Sequence, residues 1–187
     1  MKKAFLFGIA LLIFGAIFVG CNRVSPPAAS SSTGEQGESS ASCTENGFEM
    51  RLYSDKQVYK SAETIKIWAT LAYVGDDDTV TIWHGDPYMR FSITDGGDFN
   101  ADGVSHTILT STVLKKGELY RFDYEKSGGW SADDPDAAFW EAFYQEEDLY
   151  LPAGEYTITV RGAFSLDENV ADSQSGLLCE LRIKVEA

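Results

Sequence analysis

The chain has 187 residues, with 15 Lys and Arg against 29 Asp and Glu, a formal net charge of −14 at pH 7. That length suits one domain with a tail and is ample for an independent hydrophobic core. So acidic a chain does not bind nucleic acid or an anionic membrane surface by charge, and 44% hydrophobic with 13% aromatic residues excludes wholesale disorder.

Lys2 and Lys3 precede an apolar stretch from Ala4 to Gly20, which ends in Phe18-Val19-Gly20-Cys21. Basic residues, a short apolar core and a small residue before the cut are the layout of a secretory signal over residues 1–20. Cys21 directly after Gly20 resembles the lipobox of bacterial lipoproteins, with Phe18 where Leu is usual. The resemblance implies that the signal is cut before Cys21 and that the thiol carries a diacylglycerol. The new N-terminus is then a membrane anchor, stable because two acyl chains hold where one holds only marginally. The alternative is an uncut transmembrane helix, since 17 apolar residues is the lower limit for spanning. Both readings place the remaining chain on the extracytoplasmic face of the cell membrane. Residues 21–47 are rich in Ser, Gly and Pro, and Val24 is their one large aliphatic. Such a composition cannot offset ordering entropy, so a flexible linker is expected, with a reach of roughly 28 Å.

From Phe48 to Ala187 the pattern changes to short alternating runs. Ile65, Ile67, Ala69, Leu71 and Tyr73 alternate with Lys66, Trp68, Thr70 and Ala72. Further alternating runs are Leu119 to Tyr124, Tyr156 to Arg161 and Leu177 to Val185; weaker ones are Glu49 to Tyr53, Thr79 to Trp83, Tyr88 to Thr94 and Thr107 to Val113. A two-residue period with one polar side is a half-buried strand. Eight such strands, broken by Gly-Asp, Asp-Gly and Pro-Ala-Gly turn signals, predict an all-β antiparallel sandwich over 48–187. One helix is expected from Pro135 to about Gln145, in a crossover between strands, with Asp134 as its N-cap. Phe139, Trp140, Phe143 and Tyr144 then share one side of it.

Two segments are similar to the bacterial intracellular proteinase inhibitor (BsuPI-like) family. One is the run Ile65 to Val74, the acidic turn Gly75-Asp76-Asp77-Asp78, and Thr79-Val80-Thr81-Ile82. The other is Leu151-Pro152-Ala153-Gly154-Glu155-Tyr156-Thr157-Ile158-Thr159-Val160. The resemblance implies an immunoglobulin-like sandwich and, for activity, protease inhibition. The signal segment departs from an intracellular inhibitor, and the acidic helical insertion has no counterpart in that family.

Residues that could carry chemistry are few. The chain has two histidines, His84 and His106, and no H-E-x-x-H, G-x-S-x-G, P-loop or C-x-x-C motif. Its acids lie in runs that read as solvated, whereas a hydrolase needs one whose pKa is raised by burial. No catalytic residue is assigned. Asp98-Phe99-Asn100-Ala101-Asp102-Gly103 matches the first half of an EF-hand calcium loop: side-chain oxygens at positions 1, 3 and 5, then a turning Gly. Position 12 is Leu109, so Asp98, Asn100 and Asp102 would need carboxylates from elsewhere to hold calcium. The other reading is a solvated hairpin loop. A second acidic run comprises Asp133, Asp134, Asp136, Glu141, Glu146, Glu147 and Asp148. It reads as a solvated face, or as a docking surface for a basic partner or a shared cation site. Trp130 and Trp140 flank it, while Trp68 and Trp83 face outward, as sugar-stacking platforms or as caps on the sandwich edges.

With Cys21 committed to lipid, Cys43 and Cys179 remain as an even pair in an oxidising setting. A disulfide between them and two free thiols are both open, with Cys179 facing inward on the last strand and Cys43 just before the first. The sequence thus points to a membrane-anchored lipoprotein whose sandwich is a non-catalytic module for a protein or glycan ligand. The alternatives are a secreted protease inhibitor and a calcium-stabilised adhesion or glycan-binding module.

Overall fold

A computed structural model describes residues 37–170 and 175–187. The signal segment, Cys21 and the expected linker as far as residue 36 lie outside the described residues. Ten strands and one helix follow in order: β1 (Ser39–Glu45), β2 (Phe48–Ser54), β3 (Val58–Lys60), β4 (Ile67–Tyr73), β5 (Thr79–Thr94), β6 (Asn100–Asp102), β7 (His106–Lys115), β8 (Leu119–Asp123), α1 (Ala137–Gln145), β9 (Gly154–Ser165) and β10 (Leu178–Glu186). They form two sheets packed as an immunoglobulin-like sandwich. One sheet has the order β1-β2-β4-β8; the other runs β3-β10-β9-β5-β6, with β7 paired to β5. Neighbouring strands are antiparallel except β3 and β10, which pair in parallel over Val58–Lys60.

Between the sheets lies one layer of apolar side chains. Met50, Leu52, Ala69 and Leu71 project from one sheet, and Ile82, Ile93, Ile158 and Val160 from the other, all fully buried. The alternation that predicted the strands therefore places one side chain in two in this layer, each worth about 1.5–3 kcal/mol for the larger residues. The predicted motif Leu151 to Val160 closes with a tie of its own. The Tyr156 hydroxyl donates to the Pro152 carbonyl, four residues upstream, at 2.9 Å.

Four expectations are corrected. The linker was expected to reach residue 47, but Ser39–Glu45 form β1 and pair with all of β2. The turn between them is Asn46-Gly47, both at positive φ (50° and 77°), the conformation that a two-residue type I′ hairpin requires and Asn-Gly favours. That dipeptide was the signal for β1; the Ser-rich composition around it masked the strand. The two weak runs Thr79 to Trp83 and Tyr88 to Thr94 are one 16-residue strand, β5, whose pairing shifts register between His84 and Met89. Asn100–Asp102, expected in a loop, form strand β6. Finally, the helix starts at Ala137 with Asp136 at its N-cap position. Asp134 cannot cap it, because its carboxylate accepts the Ser131 amide at 2.9 Å and closes the preceding turn.

The helix docks through aromatic packing. Phe99, in the β5–β6 connection, is buried and lies 5.2–6.2 Å, centroid to centroid, from Phe139, Trp140, Phe143 and Tyr156. The predicted aromatic side of the helix is thus the side that meets the sandwich. Lys126 holds the other end. Its ammonium donates to the carbonyls of Phe143 (2.8 Å), Glu146 (2.7 Å) and Asp148 (2.6 Å). These include C-terminal carbonyls that lack partners within the helix, and no base lies in the helix's own last turn.

Two measurements follow from this packing. Phe99→Ala removes the ring shared by the sandwich and helix and should cost about 3–5 kcal/mol in urea unfolding, with loss of the aromatic near-UV signal from α1. The second concerns pH. Tyr88 packs against His84 with ring centroids at 4.4 Å, and burial pushes its phenol up to about 12 from the ordinary 10.0. A raised acid pKa contributes stability that is complete below the unfolded value and is lost as pH rises toward the folded one. Urea midpoints should therefore fall between pH 10 and 12, and Tyr88→Phe should make that decline shallower.

Candidate functional site

The two cysteines meet. Cys43 sits in β1, half-buried, opposite Met50. Cys179 is buried in β10, its Sγ 3.4 Å from the Met50 carbonyl oxygen. Cys43 and Cys179 face one another across the gap between the sheets; the interaction with Cys179 holds the Cys43 thiol below the ordinary range, and the neighbouring Cys43 together with burial pushes Cys179 above it. Both are free thiols here. The sequence placed Cys43 ahead of the first strand, whereas it lies within β1, and it is the hairpin to β2 that carries it to β10.

The pleat of β6 puts Asp98, Asn100 and Asp102 on one side. β6 pairs with β5 in the register Ser92↔Asp102 and Thr94↔Asn100. Its two-residue alternation turns Phe99 and Ala101 into the core and leaves Asp98, Asn100 and Asp102 exposed. The 1-3-5 spacing of a calcium loop and the pleat of a strand coincide. The Asn100 amide donates to Asp102 at 3.0 Å, and the turn itself is built by Asp95, whose Oδ1 accepts from Gly97 (2.7 Å) and Phe99 (3.1 Å). Among the described residues, no three His, Cys, Asp or Glu side chains gather as a metal site.

The second acidic run is divided. Asp133, Asp134 and Asp136 precede α1, whereas Glu146, Glu147 and Asp148 follow it; nine helical residues put roughly 13 Å between the groups. The tryptophans also separate. Trp140 belongs to the Phe99 cluster. Trp68 stands outward on β4 with Tyr53 of β2 stacked on it (5.3 Å, 7° between planes) and the Arg121 guanidinium of β8 4.7 Å from its ring centroid. Those neighbours come from strands on opposite sides of β4, so both faces of the indole are covered. Trp130 is 40% exposed, beyond the acidic turn. His84 is buried: its Nδ1 donates to the Gly85 carbonyl (2.7 Å), which leaves Nε2 to accept from the Thr112 hydroxyl (2.8 Å).

What sequence reading did not single out is the edge of β7. This strand pairs with β5 along one side, and no other strand pairs along its opposite side among the described residues. Residues 107–114, Thr-Ile-Leu-Thr-Ser-Thr-Val-Leu, contain no charge. Ile108 is 80% exposed and Val113 58%. Leu114 at the other end of the strand is buried, whereas Ile108 lies in the stretch where the β5–β7 pairing changes register. Natural edge strands are usually blunted by charge or Pro. The strand was legible as a weak alternating run; its edge position was not, because that depends on pairing order.

No protein-family model matches the chain, and no curated protein matches it. The arrangement described above defines it by architecture, as an immunoglobulin-like β-sandwich carrying a helical crossover.

The contacts fix two expectations. Exchange with a disulfide donor should join Cys43 to Cys179, closing a loop of 136 residues (179 − 43) and adding ~5 kcal/mol in the chain-entropy account. Mass analysis after alkylation under denaturing, non-reducing conditions tests this, and two alkylated thiols in exported protein would refute it. Melting in calcium and in sodium at equal ionic strength should give the same Tm if both cations only screen this surface. A calcium-specific rise removed by Asp98→Ala with Asp102→Ala would restore the metal site.

Proposed function

We propose that the chain is a lipid-anchored, extracytoplasmic lipoprotein whose sandwich acts as a non-catalytic binding module, and that its docking element is the open edge of β7. The carrying observation is the uncharged run 107–114, exposed at Ile108 and Val113, along a strand edge unpaired among the described residues. Such an edge accepts an extended segment as an added strand: main-chain hydrogen bonds supply affinity, and alternate side chains supply selectivity. A polypeptide is favoured at this edge because its main chain can pair with the free strand edge, whereas Trp68 offers a sugar no open face, both of its faces being occupied. The likeness to the proteinase inhibitor family makes a protease the first partner class to try. The anchoring half of the proposal rests on Lys2-Lys3, the apolar run and Gly20-Cys21.

Each half has its own test. Cys21→Ala should release the protein to the medium or leave an uncut precursor, and mature wild-type protein without acyl groups on its first residue would overturn the anchor. For the edge, a photo-crosslinking residue at Thr110 of the full-length protein in its native membrane should give a discrete adduct. Ile108→Lys with Val113→Lys should remove that adduct. Absence of an adduct, or one that survives both substitutions, would refute docking at β7.

A further inference from the structure

Arg90 of β5 stands directly opposite Arg161 of β9, and both are exposed on the outer face of the larger sheet. Side chains so opposed have Cβ atoms about 5 Å apart, and like charges in that position repel. The chain is not short of acids to separate them, having 29 against 15 bases. Elsewhere it uses them: Arg51 is paired with Glu49 and Arg121 with Asp123. Among the described residues, neither Arg90 nor Arg161 has a carboxylate within ion-pair distance. Arg90 makes one side-chain bond, to the Gly103 carbonyl at 3.0 Å.

The two guanidiniums border a cleft of about 630 Å³, which opens where β5 changes register between His84 and Met89. Trp83, Leu109 and Phe164 contribute apolar wall, and His106 a polar rim. Gly85 permits this shape, because a Cβ there would strike the carbonyl of His106 at the start of β7. No Asp or Glu lines the cleft among the described residues. A neighbouring hollow on the same sheet is different: Arg182 and Lys184 line it together with Asp95 and Glu155. Among the described residues, two adjacent arginines with no acid in the lining make this cleft a local exception on an acidic protein. Its size, and a lining that mixes apolar side chains with Ser105, His106 and Thr107 beside the arginines, suit a small polar organic ligand.

We propose that this cleft binds a small ligand through an oxyanion, a phosphate or carboxylate group, held between Arg90 and Arg161 with Trp83 against the organic part. A guanidinium presents a planar fork that matches either group with two parallel hydrogen bonds. An anion between the two forks also removes the repulsion that the free pair carries. The site goes beyond strand docking and does not involve Ile108, so failure of either proposal leaves the other standing.

The test uses detergent-solubilised full-length protein melted in sodium phosphate, sodium malonate and sodium chloride at equal ionic strength and pH. Phosphate or malonate at ten times its Kd should raise Tm by roughly 3–6 °C over chloride; the salt with the larger effect identifies the group recognised. Arg90→Gln with Arg161→Gln should remove that increment and raise Tm in low salt, since the repulsion is gone. Arg182→Gln, on the same sheet face, should keep the increment. Equal Tm in all three salts, or an increment undiminished in the double variant, overturns the proposal.

Discussion

The exclusion of water from the layer between the two sheets is the constraint on which the remaining features depend. Met50, Leu52, Ala69 and Leu71 face Ile82, Ile93, Ile158 and Val160, and none retains accessible surface. Because a strand alternates sides, fixing these inward residues fixes the outward ones as well. Trp68, Arg121, Arg90 and Arg161 take their places on the surface as a consequence. So does the contact of Cys43 with Cys179, which needs β1 and β10 to close on one another from different sheets. A one-residue slip of β10 would turn Cys179 outward with Leu181, Ile183 and Val185.

The helix is a secondary attachment to that layer, held at two points of different chemistry. Phe99 supplies an apolar contact from the β5–β6 connection. Lys126 supplies a cation to carbonyls at the C-terminal end of α1, where the helix dipole is negative and its own last turn has no base. Glu146, Glu147 and Asp148 follow that end and would disfavour it if nothing offset them. Burial lowers the Lys126 pKa, yet its three carbonyl acceptors still engage the ammonium. The acidic insertion thus stays attached to an acidic domain by one well-placed base.

The surface divides into regions of distinct character. The acids are solvated at the two ends of α1, while β7 presents an edge with no charge over 107–114 and the β5–β9 cleft carries adjacent arginines with no acid among the described residues. An overall charge of −14 conceals that division. Composition argues about averages such as solubility and non-specific attraction; the open edge of β7 and the cleft depend on which few side chains are neighbours.

The sequence by itself determined what is local. Two-residue alternation identified β4, β8, β9 and β10, and the aromatic spacing 139-140-143-144 gave the side of the helix that packs. The dipeptide Asn46-Gly47 also held the β1–β2 hairpin in plain view, obscured by the Ser-rich composition around it. Only the tertiary structure decided matters of pairing. Asp98, Asn100 and Asp102 fit a calcium loop and a strand equally well in spacing; the difference is that Ser92–Thr94 bond to Asn100–Asp102 and Phe99 finds a pocket of rings. Arg90 and Arg161 are 71 residues apart (161 − 90), and nothing local places one opposite the other. Register between distant strands follows from how the whole buried layer fits together, which a two-residue period does not encode.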